Sequence, residues 1–414
     1  MRLSYKPVVA MSALGLLALL GFGLGAANAT TAGFNLSLRS DPVRLPTLEL
    51  PAQTTALLLG VVCAALAGWS FAQVRAGHRT SWVVPALFGL CWVLAFIVWA
   101  VSHGRTSTEI SLVGLLQGSV ALAVPLIFGA MSGVLCERAG VINIAIEGQL
   151  LAGAFLSALV ASRTGNLIAG LAAAAVAGAL VSSLLAVFAI RYRVDQIVLG
   201  VVLNVLVIGL TSFLFSAFMS TDPARNNSPG VLSRIAVPLL SDIPLLGPVL
   251  FQQSVIVYAM YVIVAVIHLG LFKTRWGLRV RSVGEHPEAA DTVGIRVNRV
   301  RFRNVMLAGL VAGFGGAYFT LGAVGGFGEQ MTAGKGFIAL AALIFGRWTP
   351  LGALGAALFF GFADNMQALL GIIGTAIPSD IMLMAPYVAT ILAVAGLVGR
   401  VRPPAADGQP YPAR

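Results

Sequence analysis

Apolar runs of roughly bilayer length alternate with short polar connectors along almost the entire chain. They cover residues 8–28, 55–74, 82–102, 111–135, 141–162, 166–190, 197–219, 253–272, 304–323, 336–346, 351–370 and 381–399. About 20 apolar residues are needed for a helix to cross a bilayer core, so all but 336–346 are long enough. None of the runs shows the alternation of an outer-membrane barrel. Lipid leaves backbone hydrogen bonds no partner but the segment itself, which selects helices. The pattern predicts an all-α fold: a polytopic membrane helical bundle of about 11–12 hydrophobic segments, with 336–346 short or re-entrant. The first run, after Arg2 and Lys6 and before Ala27-Asn28-Ala29, imitates a signal peptide. It is longer than the about 7–15 residues of such a core, and is expected to be a retained span.

Composition sharpens this picture. Charged residues make up 10% of the 414, and the mean hydropathy is +0.93, where soluble domains carry about 25% charged residues. The net charge of +11 therefore reads as a membrane-topology signal and not as nucleic-acid binding. With the N-terminus inside and the segments alternating, seven of the 26 basic residues fall outside: Arg39, Arg44, Arg105, Arg163, Arg225, Arg234 and Lys335. The rest fall inside, so both termini are expected in the cytoplasm of a multi-pass inner-membrane protein. The tail after Arg402, PPAADGQPYPAR, reads as disordered. Cys63, Cys91 and Cys136 lie in or at the end of apolar runs without a CxxC, which supports neither a disulfide framework nor a zinc site.

Two polar stretches interrupt the pattern, Ser220–Gln252 outside and Lys273–Arg303 inside. The second contains RSVGEHPEAADTVGI, residues 281–295. Pro287 suits a first helical position, Glu288 and Asp291 suit the first turns, and Gly294 suits the position after the last. The spacing predicts a two-turn helix over 287–293, too short to be stable alone. It therefore needs a docking partner, with Ala289, Ala290 and Val293 as a small flat face, unless it is an incidental helix in an ordinary loop. A fainter signal is an echo between GVLCERAGVINIAIEG (133–148) and GGFGEQMTAGKGFIALAA (325–342); broken helices at matching places in two halves often mark a transporter's path.

VGEHPEAADTVGI resembles the cytoplasmic coupling segment of ABC-importer permeases, with Gly284, Glu285, Pro287, Ala289, Ala290, Gly294 and Ile295 at the matching positions. His286 stands where such permeases often carry Asn. ERAGVINIAIEGQLLAGAF (137–155) is similar to the signature of the nucleoside and simple-sugar (branched-chain amino acid/ribose-type) permeases that serve a basic-membrane-protein-type lipoprotein. The resemblance implies a type II importer-like core over 106–402, preceded by a three-helix extension over 1–105 and followed by the tail 403–414. It implies as partners a cytoplasmic ABC ATPase, a second related permease, an extracytoplasmic substrate-binding lipoprotein and membrane lipid. It also implies a small-molecule solute, nucleosides before simple sugars, and no cofactor.

An ionisable group at mid-membrane costs about 2.5–3.5 kcal/mol, so those present are candidates for the substrate path. Asn143 and Glu147 are expected on one helix face, four apart; they line the path, or Glu147 braces a broken helix, paired with Arg138. Asn204 lies in mid-span, where interhelical hydrogen bonding competes with a path role. Asp364 and Asn365 lie inside another span. Glu329 precedes the short segment and could pair with Lys335. GEQMTAGKG (328–336) fails as a phosphate loop: five residues separate Gly328 from Gly334, and Gly336 follows Lys335. Energy must then come from a separate ATPase; failing that, Glu147 or Asp364 would serve an ion-coupled secondary transporter.

Overall fold

The computed structural model describes residues 5–27, 30–37, 44–78, 80–81, 83–104, 109–374, 384 and 402–412. The segment expected at 381–399 lies outside the described residues apart from Met384. Contacts divide the chain into two compact units. One comprises Met1–Ser119, Pro238–Leu250 and Ala363–Gly399; the other comprises Val120–Val237, Phe251–Phe362 and Arg400–Arg414.

In the first unit α1 (Lys6–Leu16) runs on as a wider π-turn to Gly23. Strand β1 (Thr31–Asn35) pairs antiparallel with β2 (Leu48–Pro51), which leads into α2 (Ala52–Arg75) and α3 (Val83–Ser102). Strand β3 (Glu109–Ser111) adds to β1 in parallel and opens α4 (Leu112–Glu137). The buried positions of α2 are Ala52, Ala56, Gly60, Cys63, Ala67, Ser70 and Val74. They recur every three or four residues and are small, which lets a second helix approach closely. Phe22 fills the space opposite, against Trp92 at 5.3 Å and Phe96 at 5.5 Å between ring centroids.

The second unit takes α4 onward through α5 (Ile146–Thr164), α6 (Leu167–Ala186), α7 (Gln196–Leu214) and the short α8 (Pro223–Asn226). A hairpin of β4 (Arg234–Ala236) and β5 (Gln252–Ser254) precedes α9 (Val255–Lys273). Then follow α10 (Arg275–Glu285), α11 (Pro287–Thr292), α12 (Val297–Ala317), α13 (Lys335–Phe345) and α14 (Pro350–Ile373), which from Ala363 on belongs to the first unit. Side-chain oxygens cap four of these: Asn166 on α6, Asp195 on α7, Asp222 on α8 and Thr274 on α10, each satisfying end N–H groups that have no partner within the helix. Helices α5, α6 and α12 meet through glycines. A β-carbon on Gly153, Gly178 or Gly313 would overlap a carbonyl oxygen of a neighbouring helix, so these backbones touch directly.

Among the described residues, eight helices are long and apolar enough to cross a membrane, and the fold is the expected polytopic helical bundle. Two expected spans differ in detail. The first is a shorter apolar helix over Pro7–Gly23, and the segment expected at 141–162 begins as a helix only at Ile146. The small strands were not expected; they lie in connectors, outside the apolar periodicity that the pattern reads. The tail also departs from its composition. Of the tail expected to be disordered, residues 403–412 are described, and they are held by hydrogen bonds to the α10–α12 region, with Ala406 4% exposed.

Candidate functional site

The second unit carries two constellations, an interior junction and a polar surface. The junction forms where two helices are broken. Residues 141–145 are not helical before α5, and 325–334 are not helical before α13. Breaks inside a bundle free backbone groups that must find new partners, and here side chains supply them. Asn204 of α7 accepts the Gly148 N–H at 2.8 Å and donates to the Ile144 carbonyl at 2.9 Å. Gln196 accepts the Ile142 N–H at 2.8 Å. Asn143, Ser132, Gln149 and Ser182, all fully buried, close a network at 2.8–3.3 Å.

Glu147 spans the two breaks. Its carboxylate accepts the Thr332 hydroxyl at 2.6 Å, the Gly334 N–H at 2.8 Å and the Gly336 N–H at 2.6 Å. The glycine-rich loop that imitates a phosphate loop thus cradles an anion, but the anion is the chain's own side chain. The two echo segments, 133–148 and 325–342, meet at this contact, and Gly336 lies so close to the Glu147 backbone that a β-carbon would overlap it.

Two expectations are corrected here. Asn143 and Glu147 do not share a helix face, because α5 starts at Ile146. Glu147 does not pair with Arg138: the Arg138 Nε–H donates to the Trp348 carbonyl at 2.7 Å and its Nη2 to the Arg347 carbonyl at 3.4 Å. Arg347 and Trp348 have φ of 55° and 53°, a left-handed turn that these bonds hold, together with the indole N–H of Trp348 on the Glu137 carboxylate. Burial lowers the Arg138 pKa, and Glu285 opposes that shift. Glu329 is exposed. In the first unit Asp364 is half-buried, and Asn365 donates to the Leu115 carbonyl at 2.6 Å.

The surface centres on α11. Pro287 is its first residue and Gly294, at φ +84°, closes it in the left-handed conformation that glycine adopts freely. Helix α11 ends at Thr292, so the helix expected over 287–293 stops one residue earlier. Gly284 packs against the Arg138 carbonyl, and Ile295 donates its N–H to the Ala290 carbonyl at 3.0 Å. The two alanines differ in exposure although both border one groove. Ala290 is 3% exposed and packs on Val283 and Val297, whereas Ala289 is exposed. Ala289, Val293, Leu278 and His286 line an open groove of about 730 Å³. Beside it, Arg279, Arg296, Arg299 and Arg303 line a smaller cavity of about 260 Å³. An apolar groove rimmed by cations fits a protein partner that brings an apolar ridge and carboxylates.

Gln149, Thr332, Trp348, Asp407 and Tyr411 were not singled out from sequence. For Gln149 the available signal is a Gln inside an apolar run and for Thr332 its place in the glycine-rich loop before one, and nothing in the sequence connects the tail residues to α11.

A family model for the permease component of branched-chain amino acid transport systems matches residues 115–398. The guanosine ABC transporter permease protein NupQ of Bacillus subtilis is 43% identical over 312 residues, 72% of this chain and 96% of that protein. The nucleoside ABC transporter permease protein NupC of Lactococcus lactis is 39% identical over 296 residues, 69% and 93%. A putative glucose ABC transporter permease, TsgC13 of Haloferax volcanii, is 32% identical over 254 residues, 61% and 77%. No solved structure matches the chain.

Proposed function

The chain belongs to the family of branched-chain amino acid transport system permease components, and from that premise we propose that it is the membrane-spanning subunit of an ATP-driven nucleoside importer. Likeness to the guanosine and nucleoside permeases supports the cargo. The single observation that carries the coupling is the geometry of α11: a six-residue helix that borders an open groove with Ala289 exposed and Ala290 largely covered. A cytoplasmic ABC ATPase seats in that groove, with its carboxylates on Arg279, Arg296, Arg299 and Arg303. A second related permease and an extracytoplasmic lipoprotein complete the importer. The protein sits in the inner membrane with both termini in the cytoplasm.

Motion of α11 has a short physical route inward. Gly284, just before α11, touches the Arg138 carbonyl at the end of α4, and Arg138 holds the 347–348 turn between α13 and α14. Helix α13 starts at the loop that Glu147 grips. A push on α11 therefore reaches the junction of broken helices through packed backbone and charged hydrogen bonds.

Simple sugars are the second cargo, favoured by the glucose relative. Ion-coupled transport through Glu147 is disfavoured, because its carboxylate already accepts three hydrogen bonds from the chain. The deciding experiment compares Ala289→Trp with Ala290→Trp in the co-expressed complex. Ala289→Trp is expected to abolish ATPase association while leaving the permease's thermal transition unchanged. Ala290→Trp overpacks a site against Val283 and Val297 and is expected to cost about 1–3 kcal/mol of local stability as well. Full ATPase association by Ala289→Trp, with uptake intact, would remove the α11 groove as the coupling surface.

A further inference from the structure

We propose that the C-terminal segment Pro404–Pro412 is a strut that sets the position of α11, with Asp407 and Tyr411 as its positioning residues. This rests on α11 being the ATPase-coupling element. A helix of six residues has no stability of its own, so whatever holds its ends decides where it sits. Its inner face contributes only Ala290 to the core. The tail supplies much of the rest. The Ala406 N–H donates to the Gly284 carbonyl at 2.9 Å, and the Ala405 N–H to the Glu285 carboxylate at 3.2 Å. The Tyr411 hydroxyl donates to the Asp291 carboxylate at 2.9 Å, and its ring packs on the Val283, Ala290 and Val297 cluster.

The other side of the strut is anchored to long helices. Arg301 of α12 is 2% exposed, and its guanidinium donates to the Gln409 carbonyl at 2.6 Å and the Ala406 carbonyl at 3.5 Å. A buried cation needs such acceptors, and here the tail provides them. Gly408, at φ +75°, turns the tail close over Ile142. This turn buries the Asp407 carboxyl beside Glu137 at the end of α4. The segment thus ties α10 and α11 to α4 and α12.

The Asp407 carboxyl faces Glu137 and Cys136 from the α4 end and Arg301 from α12, with Tyr411 farther along the tail. Burial pushes its pKa up to about 7, whereas a released tail would ionise near about 3.9. Docking therefore takes up a proton between those values. It is strongest at low pH, weakens by up to about tenfold per pH unit as pH rises toward 7, and levels off above.

The test is hydrogen exchange of amides 284–295 in the purified full-length protein in lipid nanodiscs, alongside stimulation of the co-expressed ABC ATPase by cargo. Deleting 403–414 is expected to raise exchange at 284–295 by about tenfold or more and to lower cargo-stimulated ATPase activity. Because deletion also strips Arg301 of its acceptors, Tyr411→Phe serves as the milder variant; it keeps the ring and loses only the bond to Asp291, with a smaller rise of the same kind. Asp407→Asn is expected to keep protection and to flatten its dependence on pH between 5 and 7, a response that simple loss of packing does not give. Unchanged exchange at 284–295 in both the deletion and Tyr411→Phe overturns the strut. If the wild-type chain binds no ATPase, the reading of α11 fails, whereas unchanged exchange in a complex that does couple sinks the strut alone.

Discussion

Replacing Glu147 with alanine is expected to destabilise the protein by on the order of 3 kcal/mol or more, since each buried donor left without an acceptor costs about 1–3 kcal/mol. Three donors depend on this one carboxylate: the Thr332 hydroxyl and the N–H groups of Gly334 and Gly336. Water is a poor substitute, because Glu147 is 5% exposed and Thr332 fully buried. The loss is not confined to one helix, since the bonds join the start of α5 to the start of α13. Glu147→Gln should fall between the two. It keeps one acceptor oxygen but turns the other position into a donor facing a donor. Thermal unfolding in detergent, followed with uptake in reconstituted vesicles, checks this. If Glu147→Ala unfolds like the wild type but loses uptake, the carboxylate acts on the cargo and not as a brace.

The second large effect is expected at Gly313. Alanine there improves intrinsic helix propensity by about 1 kcal/mol, so a surface-like site would gain stability. Gly313 is not such a site. Its β-carbon would overlap the Ala174 carbonyl oxygen, with the Gly178 backbone also in contact, and its own carbonyl touches Gly153. Overpacking costs about 1–3 kcal/mol, occasionally more, and here the obstacle is backbone, which cannot change rotamer. Helices α6 and α12 must separate, so Gly313→Ala is expected to lower the thermal transition clearly and Gly313→Val to prevent folding. Gly209 on α7 has nothing within 4 Å, and Gly209→Ala serves as the control without loss. Equal behaviour of Gly209→Ala and Gly313→Ala would show that α6 and α12 are not in direct backbone contact.

Part of the site was legible from residue types alone. Gly294 was placed after the last turn of α11 because a helix end favours φ > 0, and it has φ +84°. Glu147 had the alternatives of path and brace, and the echo of 133–148 in 325–342 pointed at the two breaks that meet. Its partner was misjudged. Arg138 is the nearest cation in sequence, but a carboxylate is equally satisfied by backbone N–H groups, and the glycines that present them lie 187 and 189 positions away. The pair Ala289 and Ala290 reads as one face in sequence, yet only the packing of Val283 and Val297 decides which alanine is covered.

By itself the sequence determined the membrane class, the helical repertoire and the short helix between Pro287 and Gly294, because bilayer thickness, helix period and the conformational limits of proline and glycine act locally. The tertiary structure decided where hydrogen-bonding capacity is spent. Glu147 and Asn204 serve broken backbone, Asn143 joins the buried side chains Ser132 and Gln149, and a tail with the composition of a disordered segment is fastened by Arg301, Asp291 and the carbonyl of Gly284. Those pairings join residues far apart in the chain, and a buried polar group is indifferent to sequence distance: it takes whichever partner the packing brings within about 3 Å.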